Sequence, residues 1–459
     1  MDDSTEKAAP SNANPDNCLF LDEHTLSDLE VFDSSSGGQS LFNFCDHTRT
    51  VGGQKALERR MSKPWSEGEQ ISAVQAALCF IMEYRELFRG LPSSYSVARI
   101  ELYYGEILPV VNHDNVIEFA MDAWSVWTSS GRHYGRIVQG VQISCRVVHT
   151  LRNFISHAYL KKAGGELLPL LEEMESLLDR PKLKDFPEKS GGLGVWQTLH
   201  LDRDLRVHEM STMTRLLQIV YEIEALVSLA DTTQKNNFTM PAIKQGELQI
   251  CARDLVHPFV KNAIANPLDL DRSRRGLFLT GANMSGKTTY IRAFAVALYF
   301  AQLGMGVPAK EFRFTPIEQL YSSISLSDNL HSGVSYFRAE AMRVKEIAKA
   351  IVEGYNVVAI MDEPFKGTNV KDTLEASLAI LDRFSNRENC LFIFSSHQIE
   401  LRDRLNKFGC PVDCQYFSAI ENEERLRFDY LLRPGVSQQR IGMRVLKEEG
   451  VFKLLDAQE

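Results

Sequence analysis

The chain has 459 residues, 44 % hydrophobic and 24 % charged, ordinary values for a soluble globular protein of about two or three domains. A formal net charge of −9 argues against a protein coated in positive charge but leaves local basic faces open. Eight cysteines show no framework spacing; Cys410 and Cys414 in "CPVDC" lack the second pair a structural zinc site needs, so reduced thiols are the better reading.

The first 17 residues, "MDDSTEKAAPSNANPDN", are acidic, rich in Pro, Asn and Ser, and lack an apolar core, which predicts a disordered lead-in and no signal peptide. From residue 18 to about 240 the pattern is helical: 52–64, 71–91, 167–180 and 210–233 keep apolar residues at helical spacing. An all-α domain is expected over 18–240.

Between Ala123 and Gly165 there is no Asp or Glu, while Arg132, Arg136, Arg146, Arg152, Lys161 and Lys162 all occur there. On a helical wheel Val147, Val148, Leu151, Phe154, Ile155, Ala158 and Tyr159 share one side, and Arg146, His149, Arg152, His157 and Lys161 the other. This face is either a rail for phosphates or an acidic partner, or simply a solvated helix face that is basic.

After Pro241 short apolar runs ("GLFLTG", "NVVAIMDE", "CLFIFSSH") alternate with helices, predicting a mostly parallel sheet in a domain spanning 241–459. "GANMSGKTT" satisfies G-x-x-x-x-G-K-[ST] between a strand and a helix. Gly281 and Gly286 let backbone N–H groups wrap phosphates, with Asn283, Met284, Ser285 and Thr289 completing the loop. Lys287 is expected to reach the β- and γ-phosphates of ATP, and the Thr288 hydroxyl to hold Mg²⁺. The run 293–307 is too short to span a membrane, carries Gln302, and reads as a buried core helix.

Asp362 and Glu363 end the apolar run 356–361, where one can bind Mg²⁺ and the other orient or deprotonate water. His397, just past the run 390–396, is either a capping or surface residue or a γ-phosphate contact. Ser332 and Gly333 open a helix through Phe337, Ala341 and Val344; that start is an anion site or merely an N-cap.

Together "ANPLDL", "LFLTGANMSGKTTYIRAFAVALYFAQLGMGVPA", "DNLHSGVSYFRAEAM", "MDEPFKGTN" and "SSHQIEL" resemble the MutS family of DNA mismatch-repair ATPases, over essentially all of 241–445. More weakly, "LDEHTLSDLEVF" and "TRTVGGQKALERRMSKPW" look like the start of that family's core (lever) domain. The resemblance implies an α/β ABC-type P-loop ATPase domain at the C-terminus, preceded by an all-α core/lever domain.

It further implies that Asn283, Lys287 and Thr288 hold phosphate and Mg²⁺, with Asp362 on the metal, Glu363 on the water and His397 near the γ-phosphate. Ile264 would lie near the adenine, and Ser332 would reach the nucleotide of the opposite subunit in a dimer. The chain departs from the family at Pro364, Phe365 and Lys366, where Ile-Gly-Arg is usual, and at Ala263, where an aromatic residue usually stands beside adenine. The core begins within about twenty residues of Met1, so the family's mismatch-reading and connector domains are not expected.

The resulting expectation is a cytoplasmic, dimeric, Mg²⁺-dependent ATPase that binds DNA through its phosphates. The alternative is a nucleotide-switched scaffold whose levers grip a protein. A transporter subunit fits poorly, because no spanning segment is present in the sequence.

Overall fold

The computed structural model describes residues 17–34, 37–129, 131–184, 186–187, 192–324, 336–365, 368–421, 426–437, 439 and 442–456. Its strands are β1 (Ala242–Ile243), β2 (Ile250–Leu255), β3 (Asn266–Leu270), β4 (Gly276–Gly281), β5 (Glu311–Phe314), β6 (Gln319–Ser323), β7 (Val357–Asp362), β8 (Cys390–Ser395), β9 (Val412–Glu421) and β10 (Leu426–Pro434).

The chain forms two compact units that do not follow chain order. Among the described residues, one gathers 17–44, 63–72 and 235–456; the other holds 45–62 and 73–234. A single boundary near residue 240 therefore misses two segments, 17–44 and 63–72, which pack with the C-terminal part of the chain.

The first unit contains both sheets. A six-stranded sheet runs β10-β9-β4-β8-β7-β6 and is parallel except for the β9–β10 hairpin. Every residue of β4 and β8 is buried, so these strands read as continuous apolar runs without alternation. A smaller sheet runs β1-β5-β2-β3. The helix Lys287–Gln302 is buried at every residue from Ala293 onward, and Gln302 donates from Nε2 to the Ile317 carbonyl at 2.7 Å. Its apolar character comes from lying inside the domain.

The short helix Glu23–Asp28 belongs to this unit for an electrostatic reason. Asp28 Oδ2 accepts from Ser322 Oγ and from the Ile324 N–H, both at 2.7 Å. Arg343, on the helix Tyr336–Val352, is buried against Asp22, and donates to Thr25 Oγ1 and the Ser322 carbonyl. Buried charges need such partners, and removing one leaves the other uncompensated.

The second unit is helical. Its longest helices are Gly131–Ile155 and Met210–Lys235, with Ser94–Gly105, Val116–Ser129, Leu167–Leu178 and Val195–Arg203 around them. Leu78, Ile81, Val97, Ile100, Val148, Leu151, Leu216 and Ile223 are core residues. The buried acids are again matched: Asp202 takes Arg206 and the Tyr103 hydroxyl, and Asp231 takes both arms of Arg85. No described helix is long and apolar enough to cross a membrane. No cysteine is in a disulfide, and the described residues hold no metal-binding cluster of three or more His, Cys, Asp or Glu.

Candidate functional site

The site is built where β4, β7 and β8 end together. β4 stops at Gly281, whose φ of 149° and close neighbours require glycine: a Cβ there would stand 2.8 Å from Ser285 Oγ and 2.9 Å from the Phe417 carbonyl. The loop turns through Met284 and Gly286 at positive φ and opens the helix Lys287–Gln302. Met284, Asn283, Thr288 and Thr289 are exposed, whereas Ser285 and Lys287 are buried.

Lys287 curls back over its own loop, donating from Nζ to the Gly281 carbonyl at 2.8 Å and the Ala282 carbonyl at 3.2 Å. It also lies 3.6 Å from Glu363 Oε1, and His397 Nε2 approaches the same oxygen at 2.7 Å. Beside them Thr288 Oγ1 donates to Asp362 Oδ2 at 2.6 Å. The structure thus brings Lys287, Thr288, Asp362, Glu363 and His397 into one cluster from three separate parts of the sequence.

Ser395 joins the strand ends. It is paired in register with Asp362 and donates its hydroxyl to Asp362 Oδ1. Its Oγ and carbonyl both accept from the Glu363 N–H at 3.1 Å. Sequence reading treats Ser395 only as a strand terminus, because its role depends on β7 and β8 being adjacent.

The turn after β7 carries two non-glycine residues in the left-handed region, Glu363 (φ 51°) and Phe365 (φ 67°). Such backbone costs on the order of 1 kcal/mol or more per residue and needs local support. Glu340 supplies it by accepting from the Phe365 N–H at 2.7 Å, and the buried Phe365 ring packs on Phe337. Lys366 and Gly367 lie outside the described residues, as does Ser332.

A cavity of about 330 Å³ adjoins the loop, lined by Ala263, Ile264, Gly286, Thr289, Tyr290 and Tyr430, among others. Tyr430 reaches it from a bulge in β10, at φ 55°, and its ring stands close over Gly286. The buried Asn266 of β3 holds that bulge: it donates to the Tyr430 carbonyl at 3.0 Å and accepts from the Leu432 N–H at 2.7 Å. Sequence reading misses Tyr430, since a tyrosine in a strand carries no such signal. His257 also lines the cavity, and burial, with help from Arg292, lowers its pKa to about 4.

The expected basic rail does not form along one helix. The helix Gly131–Ile155 stops before His157, and Lys161 lies in the separate 3-10 turn Ala158–Lys162. Arg152 is turned inward, donating to the Leu178 and Leu183 carbonyls, where a cation suits helix C-termini. Tyr159, placed on the apolar side of the wheel, is exposed because the helix has already ended. Arg136 is exposed 3.6 Å from Glu106, and Arg146 is exposed; the Arg132 side chain is outside those described.

A parallel sheet whose strand ends bring a glycine-rich loop, its lysine and hydroxyl, and two adjacent carboxylates together defines an α/β domain of the ATPase class. Residues 277–457 match the family model described as MutS domain V. The match starts one residue into β4 and covers the loop, the carboxylates and His397. The family's function is DNA binding and ATPase activity in mismatch repair, with Mg²⁺ alongside ATP.

Proposed function

We propose that this chain is a dimeric, Mg²⁺-dependent ATPase that uses ATP binding and hydrolysis to handle DNA, in mismatch repair or on altered DNA structures. The observation that carries the reading is the cluster of Lys287, Glu363 and His397 beside Thr288 and Asp362. The residues fit the group: Ser285 Oγ, in the loop, is buried without a hydrogen-bond partner among the described residues, and Thr288 with Asp362 offers hard oxygen ligands.

In this reading the domain is an ABC-type P-loop ATPase. Asn283, Met284, Ser285 and Thr289 line the phosphate loop. Lys287 exchanges the loop carbonyls for phosphate oxygens, neutralising charge at the reacting end of the nucleotide. Thr288 and Asp362 would hold Mg²⁺, which would supply charge neutralisation, and Ser395 fixes the carboxylate's orientation. Glu363 orients the attacking water and receives its proton, while His397 stands at the same oxygen, near the γ-phosphate. Ile264 and Tyr430 bound the cavity that takes the base, with Tyr430 giving the aromatic surface Ala263 lacks. Ser332 acts in trans across a homodimer.

DNA contact would rest on phosphates, with Arg132, Arg136, Arg146 and Lys161 as candidates, now without Arg152. A second reading, a nucleotide-switched scaffold that grips a protein, is favoured by the apolar face of the helix Val116–Ser129, which carries five large exposed hydrophobic side chains.

The deciding experiment is salt-titrated binding to matched, mismatched and branched DNA, with and without ATP, beside Lys287→Ala. Nucleotide-dependent binding that weakens steeply with salt supports DNA handling. ATPase activity without any DNA binding would leave the protein-gripping scaffold.

A further inference from the structure

The acid assigned to water activation sits on backbone that a residue with a side chain rarely adopts. Glu363 has φ 51°, and Phe365, two residues on, has φ 67°. Glycine takes this left-handed region without steric cost, whereas a side chain strains it. Two such residues in one turn persist only when their surroundings over-determine them. The first half of the turn is fixed from β8, where the Glu363 N–H donates to Ser395 Oγ and to the Ser395 carbonyl, both at 3.1 Å.

The second half is fixed through Phe365 by two helices. Glu340, 2 % exposed on the helix Tyr336–Val352, accepts from the Phe365 N–H at 2.7 Å. Thr373, near the start of the helix Val370–Ser385, donates to the Phe365 carbonyl at 2.9 Å, its proton shared with the Asn369 carbonyl at 3.0 Å. The buried Phe365 ring lies 5.9 Å from that of Phe337, one turn before Glu340. One turn after Glu340, Arg343 is buried against Asp22, which anchors the same helix. Phe365 is thus held at its N–H, its carbonyl and its ring. What this protects is the place of Glu363 Oε1, which meets His397 Nε2 at 2.7 Å and Lys287 Nζ at 3.6 Å. With the Glu363 N–H held by Ser395, relaxing φ to the right-handed region turns Cβ by about 110° around the N–Cα bond. That rotation carries the carboxylate away from both neighbours.

We propose that Glu340 is the positioning residue for Glu363. By fixing Phe365 it keeps the turn left-handed and so aims the carboxylate, with Thr373 as the second tie. This inference rests on the proposed ATPase reading and deepens it. Misplacing a reacting group by about 1 Å can cost about 10²-fold in rate, so the hold of Glu340 on the turn should act on kcat and not on nucleotide affinity.

The test is ATP hydrolysis by the full chain with Mg²⁺, beside binding of a fluorescent ATP analogue. The variants are Glu340→Ala, Glu340→Gln, Thr373→Val, Glu363→Gln and the double variant Glu340→Ala/Glu363→Gln. Glu340→Ala should lower kcat about 30-fold and leave KM and analogue affinity within about 2-fold of wild type. Glu340→Gln keeps an acceptor oxygen of the same reach and should recover kcat to within about 3-fold. Thr373→Val keeps the shape and loses the hydroxyl; it should lower kcat about 3–10-fold, and it carries the test if Glu340→Ala does not fold. The double variant should be no slower than Glu363→Gln alone, because Glu340 acts through that carboxylate. Unchanged kcat in Glu340→Ala and Thr373→Val, an equal loss in Glu340→Gln and Glu340→Ala, or a further loss in the double variant overturns the positioning role. A wild-type chain that hydrolyses no ATP, or a wild-type rate in Glu363→Gln, overturns the underlying ATPase reading and the inference with it.

Discussion

Glu363 Oε1 sits 2.7 Å from His397 Nε2, placing the acid after β7 against the histidine after β8. The same oxygen is 3.6 Å from Lys287 Nζ, so one carboxylate meets both neighbours. In the proposed role of water activation, Glu363 is positioned by these neighbours and could not be replaced by an amide in proton transfer.

Glu363→Gln should therefore keep ATP binding while lowering hydrolysis by about 10²–10⁴-fold, the usual contribution of general-base catalysis. Phosphate release measured beside fluorescent-nucleotide binding separates the two. Hydrolysis within a few fold of wild type would remove Glu363 from its assigned role.

Ser395 donates to Asp362, so under the proposed Mg²⁺ role of Asp362 its loss should appear as a metal defect. Ser395→Ala is expected to raise the Mg²⁺ concentration for half-maximal ATPase activity about 10-fold, within the 10–100-fold range for supports of metal ligands. Saturating Mg²⁺ should recover most of the rate, which a merely unfolded variant would not show.

Asn266 holds the Tyr430 bulge through backbone hydrogen bonds and itself lines the cavity. Asn266→Ala leaves the Leu432 N–H without its acceptor, at a cost of about 1–3 kcal/mol. It should raise KM for ATP with little change in kcat, as Tyr430→Ala should, and Tyr430→Phe should stay near wild type. Equal KM values across the three variants would detach the bulge from base binding.

Arg152 is a structural cation. Arg152→Ala should lower stability by about 1–3 kcal/mol in urea unfolding and leave the salt dependence of any DNA binding unchanged. Arg146→Glu should do the reverse if the exposed part of that helix meets phosphates. A lower salt slope in Arg152→Ala would return Arg152 to the DNA-contacting set.

His257 makes a pH-dependent contribution with a definite sign. Its pKa falls from 6.5 to about 4 on burial, so between those values the unfolded chain takes up a proton that the folded chain does not. Stability should drop as pH falls from 6.5 towards 4, and the drop should be smaller in His257→Gln. Parallel melting curves for both proteins across that window would show that His257 stays accessible.

The strand–loop–helix around Lys287 was legible in the sequence because its parts are contiguous, and glycine spacing and flanking apolar runs specify it locally. The same holds for the carboxylates closing β7 and for the buried helix 287–302, whose apolar residues have no room for a solvent face. The basic rail was misread because a wheel assumes one continuous helix, and this one ends at Ile155 with Arg152 spent on carbonyls.

Other features existed only once distant segments met. The pairing of Asp362 with Ser395 follows from strand register, the hold of Asn266 on Tyr430 from a bulge 164 residues away, and the seat of Asp22 and Asp28 from burial beside Arg343 and Ser322. Sequence by itself determined the phosphate loop and the acids, whose chemistry is encoded within a few neighbouring residues. Tertiary structure alone decided their mutual distances and supports, because burial forces polar groups to find partners wherever the fold brings them.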